Sequence, residues 1–518
     1  MMATVGRILD RTAAFVGATS ERLNPILVKE TRQSTKSALF STVFLLFVSI
    51  SWIVIVFGML MMWSTLEISP VAEVLFAWNY GLLSFAIFVV VPFGAYRSLL
   101  AERELHTLDL LTITTLSPRQ IVFGKLGSAL VQVGIYYSAI SPFIAFLSFL
   151  QGFDIFVTSW VLVMSFFWSL ALCTGALLAS IMARHNQWNS ANMVGLIILL
   201  LFGWIMTLSF AVAGDISRAM DESGFWFINT IGLVFGLSYA FLAIQVIVAR
   251  LTFAAGNHST GIRLVLSGQC WLLLIVLAVI PLLPIPISPS PGVYDEVLGV
   301  AAILVSIHWA VGGLFLVTES DFLSRRIRSG LPRRKLVRLL ASPFLPGSGR
   351  GLVLVYGHLL VFVLATVAMS LWRGIPGSAD LVQMGIGGVA NVVLWMGIAA
   401  AISRWGRRRS HRFTPVAMRV FTVVLFIVVQ IASLLPGAFE NLPRSLGFLS
   451  PFLLAEMPNQ DLEFALGFLL TAAVLVVVVN LLAMFRGTMQ IVRDPGPGQL
   501  LPKSPSLPKS SEVVSSAE

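Results

Sequence analysis

Residues 38–63 read ALFSTVFLLFVSISWIVIVFGMLMMW, without one charged side chain. A helix rises about 1.5 Å per residue and the hydrocarbon layer of a bilayer is about 30 Å thick, so about 20 apolar residues make one crossing. This stretch is long enough to span and too apolar to be solvated as a surface helix. The preceding segment carries Arg7, Arg11, Arg22, Lys29, Arg32 and Lys36, and no small-residue cleavage pattern follows a short apolar core. The stretch therefore reads as a retained span and not as a signal peptide.

The rest of the chain is of the same kind. Hydrophobic residues make up 57% of the 518 positions and charged residues 11%, with mean hydropathy +0.91, against about 25% charged in a soluble domain. Further spans are expected at 74–96, 126–150, 160–182, 193–214 and 225–248, and a second set at 264–284, 297–317, 352–372, 381–402, 416–436 and 464–485. Cytoplasmic loops retain Lys and Arg. With the N-terminus inside, all of the 34 basic residues except Arg218, Arg373 and Arg444 fall on the cytoplasmic side. The formal charge of +10 is thus a topology signal, with attraction to anionic headgroups second, and it argues against nucleic acid as a partner. The expected fold class is all-α, a polytopic transmembrane bundle of about twelve spans in two six-span halves, with both termini cytoplasmic.

The expected organisation is a cytoplasmic segment 1–37 with an interfacial helix, a six-span domain 38–263 with a cytoplasmic loop 97–125, and a second six-span domain 264–485 with a basic loop 318–351. A Pro-, Ser- and Lys-rich tail 486–518 cannot bury enough apolar surface to fold. Cys173 and Cys270 lie in apolar segments without metal-ligand or C-x-x-C spacing and read as small buried residues.

Two cytoplasmic stretches carry more information. In NPILVKETRQ, starting at Asn24, Asn is a favoured helix cap and Pro25 takes the first helical position. Ile26, Leu27 and Glu30 then share one side, with Lys29, Arg32 and Lys36 around it, as suits a helix in the headgroup region. In ERELHTLDLLTITTLSPRQIVFGK, residues 102–125, Leu105, Leu108 and Leu111 recur every three positions while Glu102, Arg103, Glu104 and Asp109 take the others. The stretch 102–116 reads as an amphipathic helix too polar to span. Ser117, Pro118 and Gln120 form a capping-box pattern that opens a new helix leading into the third span.

The pattern of Glu102, Thr107, Leu110, Leu111, Leu116, Ser117, Pro118, Gly124 and Lys125 resembles the loop after the second span of type-2 ATP-binding-cassette (ABC-2) permeases. The stretch Asn24, Pro25 through Lys29 and Glu30 is similar to the helix that precedes their first span. The resemblance covers about residues 24–263. It implies a transport subunit and not an enzyme, an exporter in the plasma (inner) membrane. It also implies a coupling helix over residues 102–116, with Glu102, Glu104, Thr107, Leu110, Leu111, Ser117, Pro118, Gly124 and Lys125 as coupling residues. That helix would dock on a separate ABC-type ATPase subunit that holds the ATP, so no cofactor is expected on this chain. His106 stands where the family has a small residue, and the loop 318–351 does not carry the pattern.

The residues themselves exclude other chemistry. No G-x-x-x-x-G-K-[ST] occurs: Gly124 and Lys125 precede Leu126, and the run Gly347, Ser348, Gly349, Arg350 lacks the lysine. No H-E-x-x-H, G-x-S-x-G or His/Cys cluster is present, so neither a catalytic nor a metal site is expected. The expected spans hold no Asp, Glu, Lys or Arg away from their ends, which weighs against an ion-coupled secondary transporter. His308, His358, Asn391, Gln430 and Asn480 read first as helix-to-helix hydrogen bonders, and Gly232 with Gly236 as a small-residue packing motif. A secondary transporter and a non-transporting membrane scaffold remain as alternatives. Substrate, and whether one chain suffices or two pair as a homodimer, stay open.

Overall fold

An uncharged apolar segment in lipid must satisfy every backbone group within itself, and helix is the only open-ended form that does so. The computed structural model follows that rule. It describes residues 24–63, 71–105, 107, 116–182, 186–212, 220–222, 224–253, 255–283, 291–374, 380–409, 414–438 and 459–493, and among them there is no strand. The chain divides into two compact units between Phe253 and Ala254.

The first unit holds α1 (Pro25–Thr35), α2 (Ala38–Met61), α3 (Val71–Glu104), α4 (Pro118–Leu147), α5 (Ile155–Met182), α6 (Asn186–Val212) and α7 (Phe225–Leu251). Helix α3 packs on α5 and α6, α5 on α7, and α1 and α2 on α4. Leu83, Ile87, Val133, Tyr136, Cys173 and Ile247 are wholly or almost wholly buried between them. The outer faces stay apolar, as on Leu45, Ile53 and Leu60 of α2, all exposed, which is what lipid as solvent allows.

Helix α3 is interrupted by a π-helical turn at Ala86–Val90, where the Val91 amide bonds the Ala86 carbonyl, an i to i−5 link. Pro92 follows and has no amide proton to give. In that register its missing partner is the Ile87 carbonyl, and Ser169 of α5 donates its hydroxyl to that oxygen at 2.9 Å.

The second unit holds α8 (Thr260–Val279), α9 (Pro291–Val317), α10 (Ser348–Arg373), α11 (Asp380–Arg409), α12 (Pro415–Ala438) and α13 (Asn459–Val492), with two short helices, Arg325–Ser329 and Lys335–Ala341, between α9 and α10. Helix α11 packs on α9, α12 and α13, and α10 on α9 and α13. Trp309 and Phe362 are fully buried.

Among the described residues, eleven helices are long and apolar enough to cross a membrane. The remaining expected span, 416–436, lies within α12, whose helix runs from Pro415 to Ala438. The expected loop and tail boundaries need correction. Residues 97–104 belong to α3, 118–125 to α4 and 486–492 to α13, because hydrogen bonding carries a helix past the point where its apolar run ends. Gly487 and Ile491 are buried, and Arg350 donates to the Gly487 carbonyl at 2.8 Å, so the tail begins after Val492. Residues 494–518 lie outside the described residues.

Candidate functional site

The two capping patterns fold locally as their residues dictate. The Asn24 side-chain oxygen accepts from the Ile26 amide at 3.0 Å and Pro25 opens α1. Ser117 accepts from the Gln120 amide at 3.3 Å while Gln120 accepts from the Ser117 amide at 2.8 Å, with Pro118 at the first position of α4. The two starts are tied together, since Asn24 Nδ2 donates to the Gln120 carbonyl at 2.5 Å.

Small residues then let α1 lie against α4. A Cβ on Gly124 would stand 2.8 Å from Ile26 Cβ, and one on Gly127 would stand 2.9 Å from Leu27 Cδ1. This contact brings Glu30 of α1 and Lys125 of α4 together. Lys125 has a side chain only 1% exposed, and its Nζ lies 3.0 Å from Glu30 Oε1, as a hydrogen bond, and 3.0 Å from Glu102 Oε2 near the end of α3. Lys29 Nζ closes the cluster from outside, 3.3 Å from Glu102 Oε1. Two ammonium groups balance two carboxylates, the condition under which charges are tolerated out of water. Lys125 also donates to the Ser98 carbonyl at 3.4 Å.

The cluster therefore joins α1, α3 and α4 at one point. Arg103 extends it to a fourth helix by donating to the Ser180 carbonyl of α5 at 3.2 Å. Of the residues singled out in the sequence, Asn24, Pro25, Lys29, Glu30, Glu102, Ser117, Pro118, Gly124 and Lys125 gather here. Glu102 is buried in the cluster, a correction to its placement on the polar side of an amphipathic surface helix. Glu104 and Leu105 are exposed where α3 ends, and the Thr107 hydroxyl donates to the Glu102 carbonyl at 3.0 Å. His106, Leu108, Asp109, Leu110 and Leu111 lie outside the described residues.

Other polar groups knit helices together. Asn480 of α13 donates to the Gly397 carbonyl of α11 at 3.3 Å, and His308 of α9 contacts the Leu266 carbonyl of α8 at 3.2 Å. Gly236 of α7 is covered by the ring of Trp168, with the nearest ring atom 2.8 Å from where a Cβ would be, while Gly232 has open space beside it. Among the described residues, no group of three or more His, Cys, Asp or Glu could hold a metal ion.

A set of buried arginines in the second unit carries no motif. Arg263 of α8, fully buried, meets Glu319 Oε2 at 2.6 Å and the carbonyls of Pro343 and Gly347 at 2.7 and 3.0 Å. Arg350 of α10, equally buried, reaches Gly487 and Gln490 of α13. Read as topology signals, these arginines gave no warning of such roles; the small residues around Arg350 in the run from Gly347 are the one local hint of a close crossing.

The first unit also contains a largely apolar cavity of about 410 Å³ among α3, α5, α6 and α7, lined in part by Tyr80, Phe88, Trp160, Trp168, Thr207 and Asn229. Tyr80 and Ser165 share a hydrogen bond of 2.6 Å at its wall. No protein-family model matches this chain, and no curated protein or solved structure matches it either.

Proposed function

We propose that the chain is the membrane-spanning permease subunit of an ATP-driven transporter of the ATP-binding-cassette kind, an exporter of the plasma (inner) membrane with about twelve spans and both termini cytoplasmic. A separate ATPase subunit holds the ATP, and this chain carries no catalytic residue. The observation that carries the reading is the buried cluster of Lys125, Glu30, Glu102 and Lys29, which fastens three helices where α3 leads into the segment 105–117 and α4 follows it in the chain. A displacement of that segment by a docked partner would act on α1, α3 and α4 together. The coupling-loop pattern of Glu102 to Lys125 and the basic charge concentrated on one side support the same reading. So does the apolar cavity of the first unit, which suits a hydrophobic cargo.

The test is co-purification. Intact chain is expected to bring down a P-loop ATPase, and Leu110→Asp with Leu111→Asp to release it and abolish ATP-dependent transport. If no ATPase associates, or if the double variant transports as well as the parent, the assignment fails.

A further inference from the structure

We propose that the basic pocket between α11 and α13 seats the phosphate headgroup of an anionic phospholipid. The pocket has a volume of about 680 Å³ and is lined by Arg404, Trp405 and Arg408 of α11, Leu482, Arg486 and Gln490 of α13, and Asp321. Positions 404 and 408 are one turn apart on α11, and positions 479, 482, 483, 486 and 490 repeat at helical spacing on α13, so each helix turns one continuous face to the pocket.

The charge in this pocket is unbalanced, unlike that of the cluster around Lys125. Among the described residues, three guanidinium groups face a single carboxylate, and Asp321 already accepts from the Gly349 amide at 3.4 Å. Arg404 and Arg408, at i and i+4, repel each other. Arg404 bonds Asn480 Oδ1 through Nη2, but its Nη1 is buried without a hydrogen-bond partner among the described residues. Burying an unmet donor on a charged group costs free energy that an incoming anion would offset. Gln490 accepts from Arg350 at 3.1 Å through its side-chain oxygen, which leaves its amide NH₂ as a further donor. A guanidinium fork matches phosphate oxygens in geometry as well as charge.

The walls favour a lipid over free phosphate. Trp405, Val479 and Leu482 border the pocket and are each more than 60% exposed on the outer face. Headgroup donors at the basic helix ends and apolar side chains toward the bilayer match the two parts of a phospholipid, and basic pockets between spans bind such headgroups. The inference stands apart from the transport reading and needs only that these helices cross a bilayer.

Native mass spectrometry of the full-length chain, released from detergent with phosphatidylglycerol or phosphatidylcholine added, tests it. Phosphatidylglycerol is expected to stay bound under conditions that strip phosphatidylcholine. Loss of one basic contact is expected to weaken retention roughly fivefold, so Arg408→Gln with Arg486→Gln should weaken it about 25-fold. Both arginines are exposed, so an unchanged melting temperature is expected. Arg325→Gln with Arg326→Gln, exposed on the short helix before α10, should leave binding intact. Equal retention of phosphatidylcholine, undiminished binding in the Arg408/Arg486 variant, or an equal loss in the Arg325/Arg326 variant would overturn the proposal. Displacement by millimolar inorganic phosphate would assign the pocket to a soluble anion and overturn it too.

Discussion

Replacing Lys125 by Met tests the physical core of the candidate site. Met matches the lysine stem in length and removes only the ammonium group. Lys125 Nζ stands 3.0 Å from carboxylate oxygens of both Glu30 and Glu102, whose side chains are 10% and 11% exposed. Without it, two buried carboxylates share one cation, Lys29, whose side chain is 57% exposed and therefore largely solvated. Removing one partner of a buried pair costs about 3–5 kcal/mol, because the orphaned charge stays out of water. The variant is expected to lose about that much stability, measured by denaturant or thermal unfolding of the purified protein in nanodiscs. Adding Glu30→Gln removes the surplus negative charge and leaves the pair of Lys29 and Glu102. The double variant should be about 0.5–3 kcal/mol more stable than the sum of the two single losses predicts, the coupling typical of groups in direct contact. A cost below about 1 kcal/mol for Lys125→Met, or strict additivity with Glu30→Gln, would mean that the cluster does not hold the three helices together.

Further outcomes follow from single contacts. Gly124→Ala places a Cβ 2.8 Å from Ile26 Cβ and Cγ2 and should cost about 1–3 kcal/mol by overpacking, with faster proteolysis within α1; Gly134→Ala on the same helix has open space and should be silent in both assays. Ser169→Ala strips the hydroxyl from the buried Ile87 carbonyl and should cost about 1–3 kcal/mol in the same unfolding measurement. Gly349→Ala would drive a Cβ into the Ala483 carbonyl oxygen. Since that neighbour is backbone, α10 and α13 must separate, which should appear as a loss of folded protein on size-exclusion chromatography, whereas Gly357→Ala on the same helix has nothing near it and should fold normally.

How legible each feature was depended on the range of the interaction behind it. The caps at Asn24 and Ser117 could be read because a capping bond closes within three residues. Lys125, Glu30 and Glu102 could be singled out, but their pairing could not, since Lys125 and Glu30 are 95 positions apart in the chain and no local pattern states which carboxylate a lysine will meet. Glu102 reads as a surface residue if the helical repeat of Leu105 and Leu108 begins there, whereas it lies in the last turn of the long α3. At Glu104 and Val492 the helices outrun their apolar stretches for one shared reason. Hydropathy marks where lipid contact stops, and the backbone ladder runs on as long as packing supports it. Arg263 and Arg350 were invisible as structural residues because a basic residue near a span end has a sufficient explanation in topology.

The π-helical turn at Ala86–Val90 has a bearing on how this chain can change over evolutionary time. A π turn holds one residue more than the α-helix it interrupts, while the helix on either side keeps its own register. Elsewhere in α3, losing one residue would swing everything beyond it by about 100°, turning Glu102 away from Lys125. Within residues 86–90 a single deletion would relax the turn to ordinary helix and leave both flanks facing as before. The turn thus marks the one described place in this helix where the reading frame of its contacts, though not that of its gene, can lose a residue without being shifted.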